Sequence, residues 1–324
     1  MISLVTPLIL LILSIVILYV SGEIIIKSSV FIANALRIPT LIIGLTVVSF
    51  ATSLPEVFVS IEALLEGSSN IALGNVFGSN IANLSLVMAI LAILSNLKIT
   101  KQTFKIDYPF LLIISLFLGF VMFFSEAINF WIGTLFLIIL IIYLIYIINI
   151  RHDSESLDTN KSKDIVSYKN KFQIIKNITI LLFGVFALKS GADMLVKNTI
   201  DIASYFGISD RVIAVTIVAF GTSVPELVTS IVASFKKQQG LAIGNLIGSN
   251  IFNILAVIGI SSVIKEIKIT DKEIIYHDYL YMLFITFLLG LFIYISRKKV
   301  ISKHHGYLLL TAYVIYIVFN IASK

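Results

Sequence analysis

The sequence predicts an all-α integral membrane protein, with ten transmembrane helices arranged as two inverted-topology five-helix repeats. Three observations carry this reading. The chain holds ten apolar runs of spanning length, one stretch of sequence occurs twice, and an odd number of spans separates the two copies. Of the 324 residues, 58% are hydrophobic and 13% charged, about half the charged share of a soluble domain. That composition excludes a disordered chain, an ordinary soluble enzyme and a nucleic-acid partner. With no cysteine in the chain, thiolate metal sites and Cys nucleophiles are excluded as well.

A bilayer core about 30 Å thick takes about 20 residues of helix. The runs lie near 3–21, 39–65, 71–96, 108–125, 129–150, 174–197, 211–235, 241–264, 276–296 and 305–322. The first, from Leu4 to Val20, has no basic flank and no small-residue cleavage site, so it reads as a retained span. The polar stretch Arg151 to Lys171 reads as a connector. It separates a first five-helix repeat, 1–150, from a second, 174–324, with the loop at 151–173 between them. Of the 24 Lys and Arg, 17 fall in or beside the connections 1–2, 3–4, 5–6, 7–8 and 9–10. The positive-inside rule therefore predicts a multi-pass cell-membrane protein with both termini outside and the central loop cytoplasmic.

The segment Thr46-Val-Val-Ser-Phe-Ala-Thr-Ser-Leu-Pro-Glu56 recurs as Thr216-Ile-Val-Ala-Phe-Gly-Thr-Ser-Val-Pro-Glu226. Likewise Gly74-Asn-Val-Phe-Gly-Ser-Asn-Ile-Ala-Asn83 recurs as Gly244-Asn-Leu-Ile-Gly-Ser-Asn-Ile-Phe-Asn253. Both pairs share an offset of 170, and residues 43–83 and 213–253 match at 19 of 41 ungapped positions. The offset spans five helices, so the second copy enters the membrane from the opposite side, a plan common among secondary transporters. A duplication kept only for packing would preserve an apolar pattern. This one preserves Thr, Ser, Pro, Glu, Asn and Gly.

Glu56 and Glu226 lie in the middle of spans two and seven, where an ionisable group costs at least about 2.5–3.5 kcal/mol. Pro55 and Pro225 precede them and are expected to free carbonyls near Ser49, Ala51, Ala219 and Gly221. Thr52, Ser53, Thr222 and Ser223 lie within a turn of the glutamates, and Ser79 and Asn83, like Ser249 and Asn253, share a helix face. Gly74, Gly78, Gly244 and Gly248 form a small-xxx-small pattern that lets helices approach closely. The pooled donors are all oxygen, a set for a hard cation such as Ca²⁺ or Na⁺. Glu62 reads as interfacial, with a possible part in ion entry, and Lys189 with Asp193 as a local pair.

These duplicated motifs, Thr-Ser-x-Pro-Glu and Gly-Asn-x-x-Gly-Ser-Asn-Ile, resemble those of the cation/Ca²⁺ exchanger superfamily, most closely its prokaryotic sodium/calcium exchangers. The alpha-repeats of that family look like residues 40–87 and 210–257. The resemblance implies a non-enzymatic antiporter with Ca²⁺ and Na⁺ as substrates. It implies that Glu56 and Glu226 bind Ca²⁺ with the carbonyls of Thr52 and Thr222. One Na⁺ site would use the Ser49 carbonyl, Ser53, Ser79 and Glu56. The other would use the Ala219 carbonyl, Ser223, Ser249 and Glu226, with Asn83 and Asn253 completing the middle. One position departs: where well-studied relatives carry an aspartate, this chain has Asn253, leaving two carboxylates at the centre instead of three. Ca²⁺ with two glutamates is neutral, whereas three Na⁺ leave about one positive charge. Two rivals use the same residues differently. In an H⁺-coupled antiporter the two glutamates carry protons, as buried carboxyls can. A cation channel would need a continuous polar stripe, which spans 4, 5, 9 and 10 lack. An intramembrane di-acid protease would use Asp in place of Glu and lack the Ser, Thr and Asn shell. No cofactor and no ATP motif is expected, and beyond the lipid bilayer no obligatory protein partner is evident.

Overall fold

A computed structural model describes residues 4–36, 38–101, 103–154, 171–207, 219–269, 274–296 and 299–322. The helices are α1 (Val5–Leu36), α2 (Thr40–Leu65), α3 (Ser69–Ser95), α4 (Thr103–Phe124), α5 (Phe130–Ser154), α6 (Lys171–Tyr205), α7 (Val224–Phe235), α8 (Gln239–Ile264), α9 (Tyr276–Ile295) and α10 (Lys303–Ala322). Among the described residues, nine of these are long and apolar enough to cross a membrane. The other, α7, is a shorter apolar helix preceded by the turn Ala219–Gly221. The first part of the seventh predicted run, 211–218, and most of the polar connector, 155–170, lie outside the described residues.

Two helices are longer than predicted. Where the sequence places spans at 3–21 and 174–197, α1 runs for 32 residues and α6 for 35. Charged residues do not break either helix, and pairs one turn apart carry them. Glu23 pairs with Lys27 at 3.1 Å and Lys189 with Asp193 at 2.8 Å. The two long helices pack extensively on each other, alongside a core formed by α2, α3, α7 and α8.

The repeat extends well beyond the duplicated motifs. Tyr108 of α4 donates to the Thr286 carbonyl of α9, and Tyr279 of α9 donates to the Ser115 carbonyl of α4, each at 3.0 Å. Gly290 lies under the Tyr108 hydroxyl and Gly119 under that of Tyr279, and neither glycine has room for a Cβ. These residues are related by an offset of 171. At the next helix the offset is 173: Gly133 of α5 packs on Gly259 and Ser262 of α8, and Gly306 of α10 on Ala89 and Ala92 of α3. Tyr143 donates to Asp107 at 3.2 Å, and its counterpart Tyr316 to Asp278 at 2.9 Å. Strands β1 (Leu97–Lys98), β2 (Ala127–Ile128), β3 (Ile267–Lys268) and β4 (Val300–Ile301) also pair across the repeats, β1 with β4 and β2 with β3, both antiparallel. Each half thus completes the other.

Candidate functional site

The site begins with a break in α2. The sequence suggests that Pro55 kinks a continuous helix. Instead, the helical turn Ser49–Thr52 ends at Ser53 (φ −86°, ψ 2°) and a new helix starts at Leu54. Proline then occupies the first turn, where its missing N–H costs nothing. The second repeat does the same at Ser223 (φ −87°, ψ 0°) before Val224. Glu56 and Glu226 therefore sit in first turns, where the helix dipole favours a negative charge by about 0.3–1 kcal/mol when exposed and more when buried.

Both glutamates are completely buried. Around them the repeats exchange polar contacts reciprocally. Thr52 faces Ser249 at 3.3 Å, and its counterpart Thr222 faces Ser79 at 3.2 Å. Ser53 donates to Glu226 at 3.5 Å, where Thr52 and Ser249 also approach. Ser79 approaches Glu56. Asn83 and Asn253 each stand in a π-helical turn, Ala82–Val87 and Asn253–Val257, a distortion frequent at functional sites. Among the described residues, six buried side-chain oxygens at these positions have no hydrogen-bond partner. They are both of Glu56, Oε2 of Glu226, Oδ1 of Asn83, Oδ1 of Asn253 and Oγ of Ser223. Buried polar oxygens are ordinarily satisfied. A hard cation that takes six to eight oxygens satisfies this kind of set. Among the described residues no three His, Cys, Asp or Glu cluster, so the centre holds two carboxylates.

The carbonyls fall out less evenly than the prolines suggest. The Ser49 carbonyl accepts from the Ser53 N–H at 2.9 Å and from Thr52 Oγ1 at 3.3 Å. In the second repeat, Ser223 N–H turns instead to Phe220 at 3.0 Å, so the Ala219 carbonyl does not receive it. The carbonyls that lose a helical donor to proline are those of Ala51 and Gly221. Two of the four spaced glycines behave as the pattern predicts. A Cβ on Gly244 would lie 2.5 Å from the Leu41 carbonyl, and one on Gly248 2.8 Å from that of Leu45. Gly44 meets the Leu241 carbonyl in the same way at 2.5 Å. Among the described residues, nothing lies within 4 Å of a Cβ on Gly74 or Gly78.

Sequence reasoning passed over Asn75 and Asn245. Asn75 donates to Ser60 at 2.9 Å and to the Glu56 carbonyl at 3.1 Å. Asn245 donates to Thr229 and Ser230 and accepts from Thr52 at 3.2 Å. The signal was available, because Asn75, Ser79 and Asn83 repeat every four residues on one face, as do Asn245, Ser249 and Asn253.

A cavity of about 410 Å³ reaches Thr222 and Pro225 from one side, between α2 and α6, with Glu62 and Asp193 on its walls. The repeat-equivalent region, between α7 and α1, is packed. A Cβ on Gly22 would lie 3.1 Å from both Val228 and Val232, and Glu23 pairs with Lys236. Thr52 is accordingly buried, whereas Thr222 is half-buried.

A family model described as sodium/calcium exchanger protein matches residues 6–149 and again 176–322. The sodium/calcium exchanger MaX1 of Methanosarcina acetivorans is 30% identical to the chain, over 95% of this chain and 96% of its own length. Inner membrane protein YrbG of Escherichia coli is 29% identical over 95% and 94%. The solved sodium–calcium exchanger NCX_Mj, soaked with Na⁺ and Sr²⁺, superposes with a TM-score of 0.80 at 29% identity, covering 98% of this chain and 99% of that one. The double family match reproduces the two repeats, and the superposition spans all ten helices. The chain belongs to the sodium/calcium exchanger protein family.

Proposed function

We propose that the protein is a secondary active antiporter that exchanges Ca²⁺ for Na⁺, with midplane ion sites built on Glu56 and Glu226. One observation carries the reading: two repeat-equivalent, fully buried glutamates present unpartnered oxygens beside reciprocal Thr–Ser pairs. Ca²⁺ takes both carboxylates with the carbonyls of Thr52 and Thr222. Na⁺ takes the flanking hydroxyls, Ser53 and Ser79 on one side and Ser223 and Ser249 on the other. Ser49, Ala219, Asn83 and Asn253 complete these shells. Because both ions use the same carboxylates, loading one expels the other, and that competition couples the two fluxes. The long pair α1 and α6 slides over the core to change which side the site faces. The ion gradient supplies the energy.

Uptake of ⁴⁵Ca²⁺ into Na⁺-loaded proteoliposomes, with choline and pH-gradient controls, tests this for wild type and Glu226→Gln. Uptake driven by outward Na⁺ and lost in the variant is the expected result. Uptake that follows a proton gradient and ignores Na⁺ would move the protein to H⁺ coupling, with Asn253 in place of the family aspartate as the suspected cause. No uptake under any gradient would sink the calcium assignment.

A further inference from the structure

A second concavity lies on the outer surface of the helix bundle, away from the ion site. It is an apolar groove of about 820 Å³ between α4 and α9, lined by Leu112, Phe284, Phe287, Leu291 and Tyr294, with Lys105 at one end. Phe284 to Tyr294 spans ten residues, or about 15 Å along the helix axis. Tyr108 and Gly290 both line the groove, the glycine lying under the tyrosine hydroxyl that donates to the Thr286 carbonyl.

The end of this groove is strongly basic. Strand pair β1·β4 brings two Lys-rich segments together: Ile99 N–H binds the Lys299 carbonyl at 2.9 Å, and Lys303 N–H binds Asn96. Lys299 Nζ stands 4.2 Å over the ring of Phe104, which packs at a tilt against Tyr294, centroids 5.4 Å apart. Lys98 lies in β1, Lys101 and Lys105 follow it, and Lys303 follows β4. No Asp or Glu occurs between residues 67 and 106 or after residue 278, and Asp107 is buried against Tyr143. These lysines therefore have no carboxylate from their own segments.

The repeat supplies an internal control. At the equivalent place on the opposite side, Tyr276 stands where Lys105 does, and Phe123 packs edge-on against Tyr276 and Tyr279 at about 6 Å. The strand pair there, β2·β3, carries Glu126 and Glu266 beside Lys265 and Lys268. In sequence, the equivalent surface thus carries carboxylates beside its lysines, whereas the segments at the basic end of the groove carry lysines with no such neighbours.

We infer that this groove is a binding site for one anionic phospholipid, an acyl chain lying between α4 and α9 and the headgroup phosphate held by Lys105 and Lys299. An apolar slot of membrane depth ending at lysines whose own segments supply no exposed carboxylate matches that ligand, and basic pockets between spans are a known mode of headgroup binding.

Native mass spectrometry of the purified chain, titrated with phosphatidylglycerol or phosphatidylcholine of identical acyl chains, tests the site. The wild type is expected to bind one phosphatidylglycerol at least 5-fold more tightly than phosphatidylcholine. Lys105→Gln with Lys299→Gln should erase the preference, Lys105→Arg with Lys299→Arg should keep it, and Leu112→Trp, filling the slot, should weaken both lipids. Equal binding of the two lipids by the wild type, or an unchanged preference in the glutamine variant, overturns the proposal. So does competition by free glycerol 3-phosphate at the lipid's own concentration, since the acyl chain would then contribute nothing.

Discussion

At one end of the bundle, Glu23 of α1 meets Lys236 just past α7, and Gly22 admits Val228 and Val232 into contact. At the repeat-equivalent end, Asp193 of α6 stands where Glu23 does, but Glu66 stands where Lys236 does and Glu62 where Val232 does. A cavity lies there instead of a seam. The two ends are built by repeat-equivalent helices, α1 with α7 and α6 with α2. At one end opposite charges meet across the two helices and a glycine admits two valines. At the other, Asp193 is paired with Lys189 of its own helix, Ala192 replaces the glycine and Glu62 lines the cavity. In the centre, by contrast, Thr52 with Ser249 and Ser79 with Thr222 keep their pairing. The duplicated residues thus keep the proposed ion site two-fold, while the two ends differ at residues that were not duplicated.

That contrast can be broken at the centre first. Glu56→Gln and Glu226→Gln should lower Na⁺-driven Ca²⁺ uptake alike, by roughly a thousand-fold, since one charge pair at about 4 Å and an effective dielectric of about 20 is worth about 4 kcal/mol. A large loss in one variant alone would mean that the centre is not functionally two-fold. Next in size are Gly44→Ala and Gly244→Ala, which force a Cβ onto facing carbonyls. Each should cost about 1–3 kcal/mol, visible as a lowered unfolding temperature in detergent, and the two losses should be similar.

The ends give smaller effects. Glu66→Lys recreates the Glu23–Lys236 pair at the open end, with Asp193 as its partner. The chain has no native cysteine, so a single cysteine at Val59, on the cavity wall, reports access by its alkylation rate with an impermeant maleimide. That rate should fall about 2- to 5-fold, as a partly exposed ion pair is worth about 0.2–1 kcal/mol. An unchanged rate would detach the cavity from these charges. The smallest effect belongs to Lys236→Gln. It should raise labelling of a cysteine at Val232 by up to about 5-fold at low salt and less at high salt, where screening has already weakened the pair.

Much of this was legible in the sequence. The offset of 170 singled out both glutamates, the four serines flanking them and both asparagines as repeat-equivalent pairs. It ran out where the chain inserts residues. Beyond Lys98 and Lys268 the offset slips to 171 and then 173, so an ungapped comparison cannot align Tyr108 with Tyr279 or Gly133 with Gly306. The helix break at Ser53 was hidden because proline inside an apolar run reads equally as a kink or as a first turn. The lengths of α1 and α6 were hidden because a charged residue ends a hydropathy run whether or not it ends a helix. The asymmetry of the two ends depends on Lys236 and Glu66, which carry no signal until packing shows what each faces.

The interlocking of the two halves has a consequence for biosynthesis. Strand β1 finds its partner at Val300, and α3 is covered by α10, more than 200 residues further along the chain. The first five helices therefore enter the bilayer with Gly119, Gly133 and the edge of β1 still waiting for residues not yet made. Contacts so far apart in sequence form slowly. Those surfaces stay open until the second half is made, and loss of β4 and α10 would uncover β1 and α3 in the first half.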